Sequence, residues 1–183
     1  LLDIGSGWGA LVLKAARDYK VRARGITVSQ EQCHHTQEAI AAAGLTDKAG
    51  VKLLDYRELA ERGATFDRIV SIGMLEHVGK RNLPVFLKAV KQLLKPGGVC
   101  VLHFITHDKE YEIGAWVRRH IFPGGYIPSW REVISLLPDY NFHLIDAESL
   151  RRHYALTLTS WADRFEAHLP EVRAQGFDER FIR

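Results

Sequence analysis

Apolar positions along residues 1–105 follow two periods that alternate along the chain. Short apolar or alternating runs predict strands over residues 1–4, 21–28, 51–54, 66–72 and 99–105. Apolar residues three and four positions apart predict helices over residues 10–19, 29–44 and 83–94. Strand and helix alternate five times, which is typical of an α/β fold with a mostly parallel, doubly wound sheet and helices on both faces.

Cap and turn residues set the ends of two of these helices. Ser29, with Gln32 three positions later, predicts a capping box, and Gly44 predicts the end of the same helix. The Lys-Pro-Gly-Gly segment at residues 95–98 ends the helix before the fifth strand.

The alternation ends near residue 106. Helices are predicted over residues 111–122, 130–137 and 154–167, and a strand over residues 142–147. The chain starts within a predicted buried strand and stops without a final one, so we expect a single domain, 1–183, that is incomplete at both ends. Its core is 1–105, and residues 106–183 are expected to form a lipid-binding or lid part with C-terminal helices.

Composition narrows the function classes only slightly. The 183 residues are 46% hydrophobic and 26% charged, with a net charge of +3, as in ordinary globular proteins. The mild basicity favours an anionic partner surface, such as phospholipid or nucleic acid. Cys33 and Cys100 fit no metal or redox spacing, which makes a cytoplasmic setting the default. No apolar run reaches the ~18–20 residues that a membrane span requires.

Three glycines, Gly5, Gly7 and Gly9, follow the first strand. Glycine adopts positive φ and lets the backbone approach a ligand, and the next helix directs its N-terminal amides at this turn. The pattern favours a nucleotide-type ligand, although a glycine turn can also serve packing alone. Enzymes that bind NAD usually carry an acid at the end of strand two. This chain has Thr27 and Val28 there, which disfavours NAD.

Motifs at the strand ends, taken in order, resemble the cyclopropane-fatty-acyl-phospholipid synthases. The matching segments are residues 2–9 (Leu-Asp-Ile-Gly-Ser-Gly-Trp-Gly), 25–29 with Gln32, 66–79 with Glu-His at 76–77, 94–98, and 102–105 (Leu-His-Phe-Ile). Residues 121–125 and the helix with Tyr154 and Trp161 extend the resemblance over nearly the whole chain. These synthases belong, with the mycolic acid cyclopropane synthases, to the class I S-adenosylmethionine-dependent methyltransferases, so a Rossmann-like fold is expected.

The resemblance implies an enzyme that transfers a methyl group from S-adenosyl-L-methionine to a cis double bond in a phospholipid acyl chain. The carbocation that forms then loses a proton from the new methyl, and a cyclopropane ring closes. Such a site must exclude water from the cation and must place a base within hydrogen-bond reach of that methyl. In this family a bound bicarbonate ion is taken to be the base.

The same resemblance implies the site residues. Those that match the bicarbonate holders, and are therefore catalytic, are Glu76, His103, Ile105 through its backbone, and Tyr154. Those implied to bind S-adenosyl-L-methionine are Asp3, Gly5, Ser6, Gly7 and Gly9 at the methionine part, Thr27, Val28 and Gln32 at the ribose, and Asp55 and Tyr56 beside the adenine.

Several of these residues also have a purely structural explanation. His103 is explained equally by a satisfied histidine in the core, and Glu76 by capping of the next helix. Gln32 is already explained as part of a helix cap, Tyr154 by helix packing, and Asp3 by a structural role in the turn. The remaining histidines have no ligand spacing, and no metal is expected.

The resemblance also implies partners and a location. The partners are unsaturated phospholipid acyl chains at a membrane surface, with no nucleic acid, and a homo-oligomer is left open. The stretch 116–130 mixes aromatic, apolar and basic residues, as at a membrane interface, and a lid packed on the sheet explains it as well. The expected location is cytoplasmic, peripherally associated with the inner membrane surface.

Two other functions stay open. One is a related methyltransferase that leaves a methyl branch on a lipid or acts on a small molecule. The other is a lipid- or nucleotide-binding domain without turnover. The family's upstream segment, which includes a cysteine whose backbone helps hold bicarbonate, has no match here, so we expect the isolated chain to lack activity or to be unstable.

Overall fold

The computed structural model describes residues 1–182, and its first 143 residues are built on one parallel sheet. The strands are β1 (Leu2–Ile4), β2 (Ala23–Thr27), β3 (Ala49–Leu53), β4 (Phe66–Ile72) and β5 (Leu94–His103). Their order is β3-β2-β1-β4-β5, with every neighbouring pair parallel. This confirms the predicted doubly wound α/β fold. The order reverses at β1, which places the expected ligand site beyond its carboxyl end.

Helices cover both faces of this sheet. They are α1 (Ala10–Asp18), α2 (Gln30–Ala42), α3 (Tyr56–Glu61), α4 (Leu75–Val78), α5 (Leu83–Leu93), α6 (Ala115–His120) and α7 (Trp130–Leu136). Short 3₁₀ helices lie at Lys80–Asn82 and Pro138–Tyr140. Two buried clusters result, one with α5 and β4 and the other with α1, α2 and β3. Phe86 and Leu93 of α5 are fully buried, as the three- and four-residue spacing predicts.

The predicted capping box at Ser29 is only half formed. Ser29 caps α2, because its Oγ accepts a hydrogen bond from the Gln32 amide at 3.2 Å. The Gln32 side chain does not return to the Ser29 amide; its Oε1 accepts from Thr27 Oγ1 at 2.7 Å. A complete capping box forms instead at Ser129 and Glu132, at the start of α7.

Two predictions for individual strands are corrected. The fifth strand starts at Leu94, because Leu94 pairs with Phe66 and an irregularity in the ladder accommodates the segment before Val99. The predicted strand at 142–147 is wrong, since residues 142–150 carry no regular secondary structure. Leu144 and Ile145 are exposed there. A strand needs a neighbour to satisfy its backbone groups, and none pairs with this segment within residues 1–182.

The chain divides into two compact units, Leu1–His143 and Leu144–Arg183. The second contains α8 (Arg151–Ala167), α9 (Leu169–Ala174) and α10 (Glu179–Ile182). Helix α8 begins three residues before the predicted start at residue 154. Its large apolar side chains are exposed, namely Leu156, Leu158, Trp161 and Phe165. Within residues 1–182, each helix is too short or too polar to span a bilayer.

Candidate active site

The glycine turn after β1 adopts a conformation that favours glycine. Gly5, Gly7 and Gly9 have φ values of 77°, 54° and 82°, a region that other residues rarely enter. A Cβ on Gly9, the N-cap of α1, would lie 2.3 Å from Thr36 Cγ2. The turn is tied to β2, since the amides of Gly5 and Ser6 donate to the Ile26 carbonyl at 3.0 and 2.9 Å. Exposed backbone therefore lies at the switch point of the sheet, where close approach by a ligand is sterically permitted.

Asp3 lies within β1, immediately before this turn, and is only 3% exposed. No hydrogen bond reaches its carboxylate within residues 1–182. Burial raises the pKa of Asp3 from 3.8 to about 7, because desolvation disfavours the ionised form. A buried acid without a donor is a favourable place for a cationic group of a ligand.

The end of β2 and the start of α2 carry the residues implied for the ribose. Thr27 is buried, and its Oγ1 donates to Gln32 and accepts from the Ser29 amide at 3.2 Å. Val28 is 77% exposed, so its side chain is free to contact a ligand. Of the three residues implied for the ribose, Thr27 and Gln32 are therefore in direct contact through their side chains, and Val28 follows Thr27 in the chain.

The adenine positions have structural contacts of their own. Asp55 caps α3, accepts from the Arg57 amide at 2.8 Å and forms an ion pair with the Arg57 guanidinium at 2.7 Å. These interactions lower the pKa of Asp55. Tyr56 is largely buried in the core, and its ring meets Phe86 edge-on with 5.3 Å between centroids.

Glu76 in α4 is the most deeply buried acid of the candidate site, at 1% exposure. Its Oε1 accepts from the Ile105 amide at 2.6 Å, so two of the predicted catalytic positions are in direct contact. Its Oε2 is buried and has no hydrogen-bond partner within residues 1–182. A carboxylate oxygen in this state requires a donor, because an unsatisfied buried polar atom costs about 1–3 kcal/mol.

The other two catalytic candidates lie in different settings. His103 ends β5 opposite Ile72, its side chain is exposed, and its carbonyl accepts from the Gly73 amide at 2.9 Å. Tyr154 belongs to α8 in the second unit, is 45% exposed and meets Trp161 with 6.5 Å between ring centroids. His103 therefore shares the β4–β5 end with Glu76, and Tyr154 lies in the other compact unit.

A contact to Glu76 that the sequence does not reveal comes from residues 122–126. The Tyr126 amide donates to the Glu76 carbonyl at 2.9 Å, and a Cβ on Gly125 would lie 2.5 Å from that oxygen. Tyr126 is anchored in turn by Glu132, at 2.7 Å. The Ser-x-x-Glu spacing at 129–132 is a recognisable capping-box signal, which predicts the start of α7 but not the contact with Glu76.

Comparisons with known proteins identify the family of this chain. The model of the family described as mycolic acid cyclopropane synthetase matches residues 1–183. A probable fatty acid methyltransferase of Pseudomonas putida is 38% identical over 180 residues, which are 95% of this chain and 45% of that protein. The cyclopropane-fatty-acyl-phospholipid synthase of Escherichia coli K12 is 39% identical over 184 residues, covering 100% of this chain and 46% of that protein.

A solved structure is similar as well. The mycolic acid cyclopropane synthase CmaA1, in complex with SAH and CTAB, superposes with a TM-score of 0.85 at 30% identity, over 98% of this chain and 67% of that one. The chain spans less than half the length of the two curated relatives above. Because the family model covers every residue, this chain belongs to the mycolic acid cyclopropane synthetase family.

Proposed function

We propose that this protein transfers a methylene unit from S-adenosyl-L-methionine to a cis double bond of an unsaturated phospholipid acyl chain, forming a cyclopropane ring. The observation that carries the proposal is Glu76, a buried carboxylate bound to the Ile105 amide at the β4–β5 end, whose Oε2 accepts no hydrogen bond from residues 1–182. Membership of the family and the names of the relatives support the same chemistry.

The residues at β1 and β2 fit S-adenosyl-L-methionine. Within residues 1–182 the Asp3 carboxylate has no hydrogen-bond partner, so it suits the cationic ammonium group, and the backbone of Gly5 and Gly7 permits close approach. Ser6 and Gly9 complete this turn, and Thr27, Val28, Gln32, Asp55 and Tyr56 are proposed for the ribose and adenine. When bound, the cofactor supplies the methyl group. The protein residues orient it and exclude water from the edge of the sheet.

Glu76 also fits a bound bicarbonate ion, since Oε2 can accept a hydrogen bond from its hydroxyl. The Ile105 amide is engaged by Glu76 Oε1, so Ile105 would act by fixing Glu76. His103 would donate to the anion from the end of β5. The catalytic role of Tyr154, in α8, is a proposal that rests on the family resemblance alone. Bicarbonate would supply the base that takes up the proton of the new methyl. Glu76 then has one role, to hold an acceptor in place through a directional hydrogen bond.

Exposed side chains on α6 and its C-cap residue, which we call the lipid-facing surface, support a phospholipid substrate. Trp116 is 66% exposed, Ile121 is exposed, and Arg118 and Arg119 lie beside them. Exposed aromatic and basic side chains together suit the headgroup region of an anionic membrane. We propose that this surface holds the protein peripherally at the cytoplasmic face of a membrane.

The test is incubation of the natural protein with S-adenosyl-L-methionine and vesicles of unsaturated phospholipid. The expected lipid product gains one CH₂ per acyl chain, loses its olefinic NMR signals and shows cyclopropane protons. Glu76→Gln removes the carboxylate while keeping its volume, and we expect kcat to fall by about a hundredfold or more. Glu58→Gln, an exposed glutamate in an ion pair with Arg62, is the matched control. Unmodified lipid from the wild type would overturn the proposal.

A methyl-branched product is the second candidate, because the Pseudomonas putida relative is named as a probable fatty acid methyltransferase. Both products gain one carbon. In the branched product the cation loses a proton from a neighbouring carbon of the acyl chain instead of from the new methyl, so a methyl branch and a double bond remain. Proton NMR separates them, since a branched product shows a methyl doublet and no cyclopropane signals.

A further inference from the structure

We propose that Glu132 is a positioning residue for Glu76, acting through Lys80 and Tyr126. The inference deepens the proposed function and rests on it. We call Lys80, Tyr126, Ser129 and Glu132 the Glu132 network.

Glu132 is the centre of this network. Its carboxylate accepts from the Tyr126 hydroxyl at 2.7 Å and from the Ser129 amide at 2.9 Å, and it forms an ion pair with Lys80 Nζ at 2.7 Å. Its side chain is only 13% exposed, which shields these charge-assisted bonds from water. Capping of α7 explains the bond to Ser129. It leaves the bonds to Tyr126 and Lys80 unexplained.

Both of those partners are attached to the segment that carries Glu76. The Tyr126 amide donates to the Glu76 carbonyl at 2.9 Å. Lys80 lies two residues after the last residue of α4, in the next 3₁₀ helix, and its Nζ stands 5.5 Å from the centroid of the Tyr126 ring. These links form a closed circuit. The main chain joins Glu76 to Lys80, an ion pair joins Lys80 to Glu132, and hydrogen bonds join Glu132 to Tyr126 and Tyr126 back to Glu76.

Helix α4 needs such support. It has four residues and no side-chain hydrogen bond at its N-cap, and a helix this short does not hold its own geometry. Residues 122–125 close against it so tightly that a Cβ on Gly125 would lie 2.5 Å from the Glu76 carbonyl oxygen. The network therefore fixes the main chain of Glu76, and the Ile105 amide fixes its carboxylate separately.

A fixed main chain matters because the role of Glu76 is directional. Its Oε2 must meet a donor on a bound group, and a displacement of ~1 Å at a reacting site can cost about a hundredfold in rate. The cofactor turn at β1 lies outside the circuit. Loss of the network should therefore lower kcat and leave the affinity for SAH unchanged.

The experiment uses three variants of the natural protein. Glu132→Ala removes the centre, Tyr126→Phe removes only the hydroxyl, and Glu132→Gln keeps hydrogen bonds to Tyr126 and Ser129 but loses the ion pair. We expect kcat to fall between about tenfold and a hundredfold in Glu132→Ala, by less in Tyr126→Phe, and least in Glu132→Gln. Affinity for SAH and KM for the vesicles should change less than about twofold.

A control and a second measurement separate positioning from general stability. Asp67→Asn breaks the exposed ion pair of Asp67 with Lys95, at 2.9 Å, and should leave kcat unchanged. Hydrogen–deuterium exchange of the Tyr126 amide reports its bond to Glu76 directly and needs no turnover. We expect faster exchange at this amide in Glu132→Ala and Tyr126→Phe, with the amides of β1 unaffected.

The outcomes distinguish this inference from the proposed function. A wild type without methylated product defeats the proposed function, while amide exchange still tests the circuit. An active wild type with unchanged Tyr126 exchange in Glu132→Ala overturns the circuit. Faster exchange with unchanged kcat overturns the positioning role, and so does a loss of SAH affinity that matches the loss of kcat.

Discussion

Asp3→Asn should stabilise the ligand-free protein at alkaline pH while weakening the cofactor site. Asp3 is buried, and desolvation raises its pKa to about 7. The folded state therefore binds the Asp3 proton more tightly than the unfolded state, where the pKa is near 3.8. By linkage, stability contributed by the protonated acid is lost as the pH rises from about 4 to about 7.

The difference between 3.8 and about 7 corresponds to about 4 kcal/mol as an upper limit at pH 8. Asparagine keeps the volume and stays neutral, so Asp3→Asn should raise the free energy of unfolding at pH 8 by up to this amount. At pH 4.5 the two proteins should differ by much less. Urea unfolding at both pH values, without ligand, measures this difference.

The matched control is Asp18→Asn. Asp18 is exposed, and hydrogen bonds from Arg17 and Lys14 lower its pKa to about 2, so its replacement should lower the stability at neutral pH slightly, the opposite sign. Calorimetry with S-adenosyl-L-methionine should show a loss of affinity in Asp3→Asn only. If Asp3→Asn is less stable than the wild type at pH 8, the ionised Asp3 makes a favourable contact in the ligand-free protein, and the reasoning fails.

Two further predictions concern the turn and the lipid-facing surface. Gly9→Ala should lower the free energy of unfolding by about 2–4 kcal/mol, since its Cβ would lie 2.3 Å from Thr36 at a φ of +82°. The control is Gly44→Ala, where φ is also positive but the space is open, and it should cost about 1 kcal/mol. Equal losses for the two variants in urea unfolding would contradict the steric argument. Trp116→Ser should weaken the affinity for anionic vesicles, measured by sedimentation, by about tenfold. The control Tyr19→Ser, also at an exposed aromatic residue, should leave it unchanged. Equal affinities of the two variants would refute the proposal that α6 contacts the membrane.

The sheet could be predicted from the sequence because its information is local. Strand β4 is bounded correctly at Phe66–Ile72, since apolar β-branched residues and the following glycine act within a few positions. The predicted strand at 142–147 fails because a strand also needs a partner, which local pattern does not contain. The start of β5 was missed for the same reason, as it depends on the pairing of Leu94 with Phe66.

The candidate site likewise contains features that neighbouring residues determine and features that depend on residues distant in the chain. The glycine turn and Ser29 cap could be predicted from neighbouring residues. The contact of Glu76 with the Ile105 amide joins residues 29 positions apart, and the contact with Tyr126 is made by backbone atoms alone. Residue type does not encode such a bond, so only the packed structure gives the support of Glu76.

The two buried acids of the candidate site, Asp3 and Glu76, lower the stability of the sheet edge that carries them, and a ligand-binding role would explain why they are there. Asp3 lies on β1 opposite Val70 of β4, and Glu76 follows four residues after β4 ends. Within residues 1–182, each lacks a hydrogen-bond partner for at least one oxygen, which lowers the stability of the folded protein. A cation at Asp3 and a hydrogen-bond donor at Glu76 would each relieve that cost. If the proposed function holds, part of the affinity for the cofactor and for the anion would come from desolvation already completed by folding. Mutations that remove either acid should then raise the stability of the protein and lower its activity.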